Sequence, residues 1–570
     1  MNLNCVRFVV AILMLVAAPD HAFAQLAVAP EAAHGSIEVE HGVVVSAQRD
    51  ASEVGVDVLQ RGGNAVDAAV ATAFALAVTH PEAGNIGGGG FMLVFPGDGR
   101  APVCVDYRET APAAATATTF TPGESRFTCK YVGVPGTVRG LELAHREFGK
   151  LSWSELVSPA VKLAEEGFAL DKYLANSLNE LLKESPDFAE LQRVYGKDGG
   201  KAEWHEGDQL VLPELGKSLR AIAEHGPSAF YDGEIAEQLV AEMTAGGGLI
   251  ARDDLRGYQA KLREPIRGVY RGYDIYAAPP PSSGGICLIE MLNILEPLEL
   301  RKHGRHSAEA MHFTIEAMQR AFCDRARHLG DPDFNTIPAD LTDKAYAKKL
   351  SEAIPAWQAT RSDTLAPEIP LAGEGPNTTH FSVIDASGMA VANTYTLEES
   401  YGARIVVRGA GFLLNNEMGD FNPQPGVTTR TGQIGTPANI IAPGKRMLSS
   451  MCPLIVAQEG RAVLVTGSPG GRTIINTVLS IVLGVLEYEL DVRAAVDAPR
   501  WHHQWLPDET IFERSADSAY RAAIQRLKLM GHKTKLSDVQ GSAHSIYVDP
   551  KSKKRIGAVD LRRTGHAAGY

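Results

Sequence analysis

Basic runs, metal-ligand spacings and long apolar stretches are scarce in this chain, and each scarcity removes a class of function. Acidic residues outnumber basic ones by 68 to 55, leaving a net charge of −13. No Lys/Arg cluster interrupts that balance, so nucleic acid has no basic face to bind. Only six cysteines occur and none forms a CxxC pair, which excludes the common zinc modules. His502 and His503 stand side by side between Trp501 and Trp505, but neighbours on a strand point to opposite faces and do not share a metal ion. Neither a metal nor another cofactor is expected. Beyond the first residues no apolar run reaches the roughly twenty positions that a membrane-crossing helix needs.

Arg7, the apolar run Phe8 to Ala18 and the small-x-small end Ala22-Phe23-Ala24 have the layout of a secretory signal peptide. Residues 1–24 are therefore expected to be removed and the remainder to be periplasmic or secreted. Cys5 leaves with that segment. Cys104, Cys129, Cys287, Cys323 and Cys452 remain, an odd and widely spaced set that favours buried thiols, with Cys104 and Cys129 the nearest pair for a disulfide. A hydrophobic content of 45% and a charged content of 22% describe an ordinary globular protein, and length alone suggests about three domains.

Helices and strands alternate along the chain. Asn64 caps a predicted helix running to about Val78, with Asp67 in its first turn. Met311, Ile315, Met318 and Phe322 mark the buried stripe of a second helix. Glu374, Gly375, Pro376 and Asn377 have turn chemistry, after which residues 379–384 and 391–396 read as two arms of a hairpin folding about Ser387. Thr378 then falls opposite Tyr395 or Thr396. A threonine hydroxyl is a weak nucleophile unless a base removes its proton, and an α-amine on the same residue, with a pKa of about 7.7 to 8.0, supplies one. Cutting between Asn377 and Thr378 would create that amine. Further on, Val463 to Val465, a loop at Gly467 to Gly471 and an apolar helix from Thr473 place the amides of Gly470 and Gly471 near a helix N-terminus. Taken alone, the Asn-Thr-Thr triplet equally begins an ordinary strand, and the glycine loop equally suits a phosphate.

The motifs Thr378-Thr379-His380-Phe381-Ser382-Val383, Leu448-Ser449-Ser450-Met451 and Thr466-Gly467-Ser468-Pro469-Gly470-Gly471 closely resemble the small subunit of γ-glutamyltranspeptidases. Gly62 to Ala69, His80-Pro81, Gly84 to Met92, Asp106-Tyr107-Arg108-Glu109 and Pro279 to Gly285 resemble the large one. The resemblance covers nearly everything after the first forty residues. It implies an α+β fold, a four-layer αββα sandwich of the N-terminal-nucleophile hydrolase type, in which residues 25–377 and 378–570 form two self-cleaved subunits of one unit. It also implies roles. Thr378 would be the nucleophile, supported by Thr396, with Gly470 and Gly471 as oxyanion donors. Arg108, Ser449 and Ser450 would take the α-carboxylate of a γ-glutamyl group, and Glu398, Glu417 and Asp420 its ammonium. The loop 423–443 would be a lid, with Thr431 where certain relatives carry a screening aromatic residue, so that water competes well with other acceptors. The implied partners are glutathione and other γ-glutamyl compounds, with amino acids or dipeptides as acceptors. Two alternatives stand beside this: an acylase for β-lactam side chains or poly-γ-glutamate, and an uncleaved, inactive binding protein on the same scaffold.

Overall fold

The computed structural model describes residues 35–121, 123–366 and 378–570. The expected signal peptide, Cys5 and the turn ending at Asn377 lie outside these residues.

Two antiparallel seven-stranded sheets form the centre. In spatial order the first contains Ser36–Val39, Arg555–Val559, His544–Val548, Arg461–Thr466, Leu454–Gln458, Tyr273–Ala277 and Ile266–Tyr270. The second contains His566–Gly569, Val43–Ser46, Thr379–Ile384, Ala390–Thr396, Gly89–Phe95, Val103–Asp106 and Lys261–Arg263. Strand alternation in the second sheet makes its two faces two different cores. Val43, Val45, Phe91 and Leu93 pack inward with Ile275 and Val456 of the first sheet. Val44, Met92, Val94 and Val391 pack outward against the Arg49–Gln60 and Ala65–Thr79 helices. The first sheet is covered by Gly284–Leu295, Ala308–His328 and Thr473–Val482. The layers are thus helix, sheet, sheet, helix, and both sheets mix strands from before and after residue 378.

Local chemistry accounts for the key elements. Asn64 accepts from the N–H groups of Val66 and Asp67 at 3.0 Å each, and Asp67 reaches back to the Asn64 N–H at 2.9 Å, a reciprocal cap that starts the Ala65–Thr79 helix. The hairpin has the expected register: Thr379 pairs with Tyr395 and Ile384 with Ala390, which puts Thr378 across from Thr396. The five described cysteines are all buried free thiols, and no helix among the described residues is long and apolar enough to cross a membrane.

Candidate active site

Thr378 stands at the head of a central strand and opens into a small cavity. Arg108, Thr396, Glu398, Glu417, Asp420, Ser449, Ser450 and Gly471 line the same cavity. Gly470 lies one residue outside the lining. Sequence segments hundreds of residues apart therefore meet at one threonine.

The scaffold holds each group from behind. Asn85 donates to the Thr396 carbonyl at 2.9 Å and accepts from the Gly88 N–H at 2.9 Å, fixing the end of the strand opposite Thr378. A Cβ on Gly88 would lie 2.0 Å from that carbonyl, so only glycine allows this approach. Thr396 Oγ accepts from the Glu398 N–H at 2.9 Å. Glu398 itself has φ of 78°, an uncommon conformation for a residue with a side chain, and it turns the chain into the pocket. Asn415 accepts from the Glu417 N–H at 3.0 Å and donates to the Gly87 and Gly133 carbonyls at 2.8 and 2.9 Å. Asn439 donates to the Asp420 carbonyl at 2.7 Å and accepts from Leu448 N–H at 2.9 Å, tying the acidic and serine segments together.

Gly470 and Gly471 have φ of 127° and 54°, both in the region that favours glycine. Their carbonyls accept from Thr473 and Ile474 N–H at 3.1 Å each, which starts the following helix and leaves its positive end beside Thr378. Neither glycine N–H donates to another described residue. Unengaged donors of this kind can receive a developing negative charge.

Electrostatics dominate the far wall. Arg108 is fully buried, bonded to Glu417, to Asp420 at 2.5 Å and to the Met447 carbonyl at 3.2 Å, with Glu109 at 3.6 Å. Arg108, expected with Ser449 and Ser450 to take a carboxylate, shares one ion cluster with Glu417 and Asp420, two of the expected ammonium acceptors. Burial works against its charge, but Glu417, Asp420 and Glu109 more than restore it. Burial pushes the Glu109 carboxyl up to about 7, despite the pull of Arg108. Glu417 and Glu398 are likewise raised well above the usual range, mainly by burial, with Arg108 and Arg126 respectively opposing. Arg126 donates to Glu398 at 2.8 Å. The sequence reading missed Arg126, which no motif marks.

It also missed Arg325, whose signal was available: Met311, Ile315, Met318 and Phe322 continue by three to position 325, a charged residue on a buried stripe. The lid reading needs correction at one residue. Pro423, Gln433, Ile434, Thr436 and Asn439 of the loop line the pocket, and the loop is tied down by Arg472, which donates to the Gly432 carbonyl at 2.7 Å. Thr431 is exposed on the loop's turn, its hydroxyl 3.0 Å from that of Thr429, and does not line the cavity. Gln433 and Ile434, on the chain returning from the turn, face it instead.

The strand ends at His502, and His502 and His503 have separate partners. The first bonds Asn476 at 2.7 Å and Gln504 at 2.9 Å, while the second accepts from the Trp505 N–H at 3.1 Å. A different trio, His312, Glu316 and His532, brings ligand-type atoms within 4.8 Å of one another. These atoms already bond each other and their surroundings: His312 to His532 at 2.8 Å and to the Pro355 carbonyl at 2.7 Å, Glu316 to Arg320 at 2.6 Å and the Thr360 N–H at 2.8 Å. The trio shares no residue with the Thr378 cavity.

Two stacked sheets between helices, with a threonine leading a central strand into a pocket that also holds Gly471 and charged groups of both signs, have the layout of an N-terminal-nucleophile hydrolase. Comparison narrows the class. The family described as Gamma-glutamyltranspeptidase matches residues 51–570. The glutathione hydrolase proenzyme of Escherichia coli K12 is 45% identical over 546 residues, covering 94% of this chain and 93% of its own. Among solved structures, a cephalosporin acylase from Bacillus halodurans superposes with a TM-score of 0.84 at 25% identity, covering 96% of this chain and 99% of that one. A γ-glutamyltranspeptidase chain from Helicobacter pylori is 41% identical with a TM-score of 0.54, covering 55% of this chain and 92% of its own. The chain belongs to the γ-glutamyltranspeptidase family.

Proposed function

We propose that cleavage between Asn377 and Thr378 turns this chain into a two-subunit enzyme that transfers the γ-glutamyl group of glutathione and its conjugates. The new α-amine takes the proton of the Thr378 hydroxyl, whose oxygen attacks the γ-carbonyl. Gly470 and Gly471 N–H groups receive the oxyanion. The C–N bond then breaks, the departing amine takes the proton, and an ester to Thr378 remains. Water releases glutamate from that ester, or an amino acid or dipeptide amine carries the γ-glutamyl group away. Thr396 supports the nucleophile. Ser449, Ser450 and Arg108 hold the α-carboxylate, while Asp420, Glu417 and Glu398 hold the ammonium. The enzyme works in the periplasm or outside the cell once residues 1–24 are removed.

The observation that supports this reading best is the meeting of Thr378 with both signs of charge in one cavity. An α-amino acid head group carries both signs, whereas an apolar acyl side chain has no use for them. That distinction disfavours an acylase for apolar β-lactam side chains despite the fold shared with the cephalosporin acylase. Incubating purified protein with a chromogenic γ-glutamyl anilide, with and without a dipeptide, tests the proposal. Release of the aniline together with glutamate or γ-glutamyl-dipeptide is expected. An uncut, inert single band on a denaturing gel would favour the binding-protein alternative.

A further inference from the structure

Arg325 has no part in the chemistry above, yet it lines the Thr378 cavity. It sits in the last turn of the Ala308–His328 helix and is 8% exposed. A guanidinium so placed needs either an anion or polar acceptors to offset its lost hydration. Its bonds are to hydroxyls: Nε donates to Ser283 Oγ at 2.8 Å and Nη2 to Ser450 Oγ at 3.0 Å. Ser283 in turn donates to the Ser449 carbonyl at 2.6 Å. One cation therefore sets both serines of the pair. A hydroxyl oxygen that accepts from a cation keeps its own proton to donate, and Ser449 Oγ is similarly occupied as an acceptor, from the Met451 N–H at 3.1 Å.

Arg108 differs in one respect. Its charge is already met by Glu417 and Asp420, whereas among the described residues no carboxylate pairs with Arg325. We propose that Arg325 is a positioning residue of the α-carboxylate subsite, acting through Ser450 and supplying the positive charge that Arg108 shares with its acidic neighbours. Burial, and then the charge of Arg472, lower its pKa to about 10, which leaves it cationic at neutral pH. The proposal rests on the reading of Ser449 and Ser450 as carboxylate ligands.

Three p-nitroanilides separate the possibilities on the processed two-chain enzyme: γ-glutamyl, 4-aminobutyryl, which lacks the α-carboxylate, and glutaryl, which lacks the α-ammonium. The wild type should prefer the first over both others in kcat/KM. Arg325→Gln should reduce the preference over 4-aminobutyryl by about ten- to a hundredfold, as expected for loss of a charge-assisted contact, while the preference over glutaryl stays. Arg325→Lys should restore part of the loss. If Arg325→Gln keeps the carboxylate preference, or loses both preferences equally, the proposal is wrong. Should that variant fail to process, Ser283→Ala decides, since it frees the guanidinium without removing its charge. A weakened carboxylate preference there supports the proposal, and an intact one overturns it. A wild type with no carboxylate preference would instead refute the subsite reading beneath it.

Discussion

Arg108→Lys probes the centre of the pocket while keeping its charge. The guanidinium reaches Glu417, Asp420 at 2.5 Å and the Met447 carbonyl at 3.2 Å in three directions at once. A single ammonium on a flexible stem cannot reproduce that fork. The paired contact that such a fork gives a donor's α-carboxylate goes with it, worth about 1.5 to 3 kcal/mol, so KM for a γ-glutamyl anilide should rise about ten- to a hundredfold. Removing the charge is a different experiment. Arg108→Ala would leave Glu417 and Glu109 buried without their counter-ion, at a cost of about 3 to 5 kcal/mol, and would confuse stability with binding. Steady-state kinetics on the Lys variant should therefore be read beside its thermal midpoint and its extent of processing. An unchanged KM in a processed, stable Lys variant would show that the fork contributes nothing to donor binding and would remove Arg108 from the subsite.

Four further outcomes are expected. Thr378→Ala should yield an uncut, inactive chain and Thr378→Ser a slowly cut one, with amino-terminal sequencing of the small band beginning at residue 378; normal two-chain material from the Ala variant would end the self-cleavage mechanism. Thr431→Tyr should leave the ratio of glutamate to γ-glutamyl-dipeptide at fixed acceptor unchanged, because Thr431 is exposed and does not line the cavity, and a lowered ratio would show that the lid's tip does control water access. Burial lowers the pKa of His502, His532 and His544 to about 4 and of His503 to about 3. The unfolded chain binds these protons near pH 6.5 and the folded one does not, so stability is present above that value and lost below it, each group contributing up to about 1.4 kcal/mol per pH unit; flat urea midpoints from pH 7 to 5 would contradict this. Burial, with the charge of Asp324 adding to it, raises the pKa of Glu290 well above the usual range, a penalty that is absent below about pH 4.3 and grows as pH rises, so Glu290→Gln should raise the melting temperature at pH 7 and leave it unchanged near pH 4.

What the sequence disclosed depended on how local the determining physics was. The hairpin about Ser387 was legible because turn chemistry and alternation lie within twenty residues, and the Asn64 cap because it needs only four. Thr378, Ser449, Ser450 and the Gly470-Gly471 loop were found because the resemblance preserves runs of residues. Arg126 was not, since its place beside Glu398 follows from how a long irregular segment returns to the pocket, which no periodicity encodes. Three domains suggested by length became one, because strands from both ends of the chain share sheets. The lid was located correctly as a loop, but which residue faces inward depends on its internal bonds, such as Gly426 N–H to the Gly435 carbonyl at 2.7 Å, and these reverse the chain so that Gln433 takes the inner side.

The mixed strand order has a consequence for the life of the molecule. Thr379–Ile384 is hydrogen-bonded on one side to Val43–Ser46 and on the other to Ala390–Thr396, which itself pairs with Gly89–Phe95. While the chain is continuous, all of these strands can find one another within a single polymer. After a cut before Thr378, the same ladders join two molecules, and a protein once unfolded must reassemble by collision, with both pieces exposing unpaired strand edges meanwhile. Such a cut would make folding a one-way event, so that the cut form would persist through slow unfolding and not through a reversible equilibrium. Denatured mature enzyme should recover poorly on dilution, whereas the uncut Thr378→Ala chain should refold.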